Sequence, residues 1–150
     1  MLTAESTGFW RNRYTLSEDG TPVTTWDPSR WSSGGSFELG GRTYTVKSNG
    51  WGTRYTMLDD RGAVAAEAER VGRKNWRVLA GGRAYEFRRR STWSSDQHLV
   101  DGERPIGLIK RTSTWNGNLT ADLPGLPLPV QVFVLGVQIT LFNAAASGGA

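Results

Sequence analysis

Apolar and polar residues alternate along most of this chain in short runs, each closed by a tight-turn signal. "RTYTVKS" sends Thr43, Thr45 and Lys47 to one side and Tyr44 and Val46 to the other. "RAYEFRR" puts Tyr85 and Phe87 on one face and Glu86 and Arg88 on the opposite one. A period of two is the spacing of a strand with one face buried. The punctuation is equally regular: "EDGT", "LGGR", "DDRG", "VGRKN", "AGGR" and "VDGE" recur between the runs. Asp-Gly and Gly-Gly reach positive φ at little steric cost, as tight hairpins require. Together they predict about eleven or twelve strands in an antiparallel meander, and therefore a sandwich or a barrel. The strands fall at 9–16, 22–27, 36–39, 42–48, 54–59, 63–71, 75–80, 83–90, 97–100, 104–110 and 118–122. "AVAAEAERV" is rich in helix-favouring alanine, but it lies between two hairpin turns and reads as a strand with a small-residue face. No Ser- or Gly-rich stretch is long enough to act as a linker, so residues 1–150 read as one domain.

The pattern changes at "LPLPVQVFVLGVQITLFNAAASGGA", the longest apolar run. A membrane span needs about 18 or more largely apolar residues; Gln131, Gln138, Thr140 and Asn143 interrupt this one. A hairpin would have to turn at Leu135-Gly136, a weak turn signal. A helix over about residues 127–146 has a proline-led start and an alanine and glycine finish. A helix of about 17 residues spans roughly 25 Å. Being apolar nearly all round, it must be buried nearly all round. The lumen of a barrel of about twelve strands is wide enough to hold it.

The order of these features resembles a known family. A hairpin meander leads to "LDDRGAVAAEAE", then "DGERPIGLIKR", then a proline-led apolar terminal helix. This is similar to the tubby C-terminal-like superfamily, most of all to bacterial members akin to LURP-one-related proteins and phospholipid scramblases. The resemblance implies an all-β fold with one helix: a twelve-stranded antiparallel barrel around a central hydrophobic C-terminal helix. It implies binding of anionic phospholipid at a membrane surface. The chain lacks the proline-rich N-terminal region and cysteine cluster of scramblases, so scramblase activity is not carried over. No family binding residue maps onto a matching motif here.

Composition removes several chemistries. There is no cysteine, hence no disulfide framework and no thiolate nucleophile or ligand. The N-terminus has no charged start followed by an apolar block, so it is not read as a secretory signal, and a cytoplasmic protein is expected. His98 is the single histidine. Ser94, Ser95 and Asp96 lie near it, yet no nucleophile elbow is present. The paired acids Glu18-Asp19 and Asp59-Asp60 belong to turns, and Glu67 and Glu69 share one strand face as a solvated edge. The expectation is a non-enzymatic module with no catalytic residues, no metal and no cofactor.

Charge supplies the remaining functional signal. The net charge is +4, and arginine provides most of the positive side. Arg88 and Arg90 close one expected strand, and Lys110 and Arg111 close another, with a single strand between them. Adjacent strands lie about 4.8 Å apart, placing the two clusters within about 10 Å. Arg88, Arg90, Lys110 and Arg111 are therefore the candidate lipid- or phosphate-binding residues; plain surface charge at strand ends is the alternative. Of the seven tryptophans, Trp76 sits in a regular strand and is expected in the core. Trp31, Trp51, Trp93 and Trp115 sit in loops, as a membrane-facing rim or as caps on the barrel ends. The expected partner is an anionic phospholipid or a protein, through peripheral contact with the inner membrane surface. A membrane-embedded scramblase-like protein and a nucleic-acid-binding barrel are the competing readings.

Overall fold

A computed structural model describes residues 1–7, 13–29, 33–113 and 117–148, with side chains as far as residue 145. The first strands are β1 (Leu2–Thr7), β2 (Arg13–Glu18), β3 (Thr21–Pro28), β4 (Gly34–Leu39), β5 (Arg42–Ser48) and β6 (Tyr55–Leu58). Then come β7 (Val64–Glu69), β8 (Asn75–Ala80), β9 (Arg83–Arg89), β10 (Gln97–Asp101), β11 (Arg104–Arg111) and β12 (Leu119–Asp122). Each pairs antiparallel with the next, and β1 pairs with β12 to close a twelve-stranded barrel. Closure leaves no open sheet edge. The one helix among the described residues, α1 (Leu128–Gly148), follows β12.

The alternation read from the sequence becomes the inside and outside of the barrel wall. Tyr44, Val46, Val78, Phe87, Leu99 and Ile109 are buried, while the residues alternating with them along each strand are more exposed. Ala66 and Ala68 are buried on β7, so the alanine-rich segment is a strand with a small inward face. β1 is absent from the expected strands. Its inward set is only Leu2 and Ala4, too short to show a period, yet both are fully buried and complete the closure. The expected strand at 9–16 is displaced: β2 begins at Arg13, and residues 8–12 lie outside the described set.

The apolar run is a helix within the barrel. The side chains of Val132, Phe133, Val134, Leu135, Val137 and Ile139 are fully buried, so α1 is enclosed around its whole circumference there. By length and composition alone, Leu128–Ala145 would also suffice to cross a membrane; here the strands supply the apolar surroundings instead. Each such side chain removed from water contributes about 1.5–3 kcal/mol. The tightest fit is at Trp26 of β3, wholly buried between two glycines. A Cβ on Gly136 of α1 would collide with the Trp26 ring, and a Cβ on Gly35 of β4 would meet it at 2.7 Å. Gly136, a weak turn signal in the sequence, is the notch in the helix that admits the indole.

Candidate functional site

In a closed antiparallel meander, odd-numbered strands all run the same way. Their exits, and the connections to the next even strand, therefore gather at one end. At the other end the connections are short turns such as Asp19-Gly20, Gly40-Gly41, Gly81-Gly82 and Gly102-Glu103. The two ends differ in charge. Among described residues, the connections of the first end carry Arg54, Arg70, Arg73, Lys74 and Arg90 against the acid Asp96. Those of the opposite end carry Asp19, Asp59, Asp60 and Glu103 against Arg61. Asp59 shows why acids collect there: its carboxylate accepts backbone N–H bonds from Arg61 and Ala63, both at 2.9 Å, and so holds the turn.

The basic end also bears exposed aromatic surface. Trp51, between β5 and β6, is 88% exposed, and Trp93, between β9 and β10, is 97% exposed. These two do not cap the barrel interior. Trp31 and Trp115 lie outside the described residues. Trp76 is buried as expected, stacked on Phe87 at 4.4 Å, with its indole N–H donating to Gln97 Oε1 at 3.0 Å.

Behind Trp93 a cavity of 580 Å³ opens between the barrel wall and the C-terminal half of α1. Its apolar lining is Trp76, Trp93, Leu141 and Phe142; its cations are Arg73, Arg89 and Arg111. Arg89 and Ile109 flank Gln97 in register, so Arg89 shares the inward face of β9 with Phe87. Arg111 is two residues beyond Ile109 on the same face of β11. Its guanidinium lies 4.5 Å over the Phe142 ring, and Nη1 donates a long bond of 3.4 Å to the Gly117 carbonyl. Burial pushes its pKa down from the ordinary guanidinium value, partly offset by Tyr14 and Asp96.

The four expected site residues separate. Strand alternation sends Arg88 and Lys110 to the outer wall, and Arg111 into the cavity. Arg88 is occupied there, with Nε donating to Asn75 Oδ1 at 3.2 Å and Nη1 pairing with Glu103 at 3.3 Å. Arg90 lies past the end of β9 and pairs with Asp96 at 3.7 Å. The other carboxylate oxygen of Asp96 accepts the Arg111 backbone N–H at 3.2 Å, so one acid ties the two strand ends together. As the sequence reading expects, the ends of β9 and β11 lie on either side of β10. Arg89 is not among the residues it singles out, although alternation puts Arg89 on the face of Tyr85 and Phe87, opposite Arg88 and Arg90.

His98 lies on the face of β10 opposite the buried Gln97 and Leu99. The Ser94 hydroxyl accepts the Asp96 backbone N–H at 3.0 Å and shapes the loop. Among the described residues, no three His, Asp or Glu side chains gather as a metal site. No family model, curated protein or solved structure matches the chain.

Proposed function

We propose that the chain is a non-enzymatic barrel module that docks peripherally on anionic phospholipid surfaces, with its basic end toward the membrane. One observation carries this reading: basic residues and exposed tryptophan occupy the connections at the same end of the barrel, while acids hold the turns at the other. Lys and Arg side chains near an anionic leaflet contribute about 1 kcal/mol each. Tryptophan suits the headgroup boundary because one part of the indole is apolar and its N–H is polar. Of the four residues singled out by sequence, Arg90 and Lys110 sit at this end and belong to the surface; Arg111 turns into the cavity, and Arg88 is engaged on the outer wall. The resemblance to tubby-like and LURP-one-related proteins points the same way, and membership of that family is part of the proposal.

Co-sedimentation with vesicles tests it. Binding is expected to vesicles containing phosphatidylserine at low salt, to weaken as salt shortens the screening length, and to be absent with phosphatidylcholine alone. Neutralising Arg73, Lys74 and Arg90 to Gln together removes about 3 kcal/mol, roughly a hundredfold in affinity. Equal binding to neutral and anionic vesicles, or an undiminished triple variant, would reject the proposal.

A further inference from the structure

The arginines inside the barrel mouth present a different problem from those on the loops. Arg89 and Arg111 are half-buried, and a cation partly withdrawn from water favours a counter-charge or hydrogen-bond partners in place of the water it loses. Arg89 Nε is buried and has no hydrogen-bond partner among the described residues. The nearby acid does not supply one: Asp96 faces Arg90 and the Arg111 backbone. Arg111 packs its guanidinium over the Phe142 ring at 4.5 Å, and the ring accepts no conventional hydrogen bond from its N–H donors. Around these two cations the walls are aromatic, and Gln138, 5% exposed, adds an amide. At 580 Å³ the cavity is of ligand-binding size; such pockets are commonly about 300–1,000 Å³, largely apolar with a few convergent polar groups.

We propose that this cavity binds a small organic oxyanion, a phosphate ester or carboxylate joined to a flat apolar body. The oxyanion bridges the outer guanidinium nitrogens of Arg89 and Arg111, both of which line the cavity. The apolar body lies against Phe142 and Trp93. The site stands on the half-buried arginines that line the cavity and not on loop charge, so it holds whether or not the basic end docks on membranes.

Calorimetric titration with 1-naphthyl phosphate, 1-naphthol and inorganic phosphate tests the assignment on the full chain. Naphthyl phosphate is expected to bind saturably, at least tenfold more tightly than either fragment, because each fragment satisfies only one half of the cavity. Arg89→Gln is expected to weaken binding at least tenfold with an unchanged melting temperature. If that variant does not fold, Arg111→Lys serves: it keeps the charge, loses the planar fork, and is expected to bind more weakly. A final arm adds naphthyl phosphate to the protein on phosphatidate vesicles. Displacement identifies a lipid headgroup as the source of the oxyanion, and simultaneous binding identifies a soluble molecule; both require the site. Absence of saturable naphthyl phosphate binding, or equal affinity in wild type and the folded arginine variants, overturns it.

Discussion

Single residues of one type do three different things in this barrel, according to which side of the wall they face. Arg88 pairs on the outer wall, Arg90 is tied to the loop acid, and Arg89 and Arg111 enter the mouth. Arg77 is structural: it donates to Glu69 at 2.9 Å across the β7–β8 pair, with Arg54 at 3.6 Å on the other carboxylate oxygen. The Arg77 hydrogen bond is the main cause holding the Glu69 carboxyl below its usual pKa, with the charges of Arg77, Arg54 and Arg70 adding to it. A depressed carboxyl pKa gives stability that is present above the unfolded value, about 4.3, and lost as pH falls through the folded value. Glu69→Gln is therefore expected to unfold at lower urea than wild type near neutral pH, with the gap closing in acid below about pH 4. A gap that stays constant with pH would show that the pair contributes nothing through charge. Much of this scale is hidden in the sequence. Alternation in "RAYEFRRR" places Arg89 on the face of Tyr85 and Phe87, but it does not show that the side chain ends in a cavity beside α1. Only closure of the barrel around α1 brings Arg89 and Arg111 to one cavity.

At the level of elements, the strands and the helix are legible because their signals repeat or are long. Alternation bounded by Asp-Gly and Gly-Gly places most strands, and the apolar circumference of 128–145 requires burial. β1 is not legible, since Leu2 and Ala4 gain their meaning only from pairing with β12. The helix and the wall must also match in shape, which no periodicity reveals. Gly136 sits mid-helix, where replacing glycine by alanine ordinarily gains about 1 kcal/mol of helix propensity. Here the added methyl collides with the buried Trp26 ring, and overpacking costs typically about 1–3 kcal/mol. Gly136→Ala is therefore expected to lower the thermal midpoint despite its better propensity, as read by circular dichroism. A raised midpoint would mean that the helix does not seat on Trp26 as described.

Across the whole molecule, strand parity gathers basic charge and exposed tryptophan at one end and acids at the other, a property of the closed topology that no single motif displays. The absence of cysteine gives a direct way to read the resulting orientation. Two single-cysteine variants, Trp93→Cys at the basic end and Asp60→Cys at the acidic end, each carry an environment-sensitive fluorophore. Their emission is then measured with and without phosphatidylserine vesicles at low salt. The label at position 93 is expected to shift to the blue as it enters the headgroup boundary, and the label at position 60 to stay unchanged. A shift at position 60 with none at position 93 would contradict docking through the basic end.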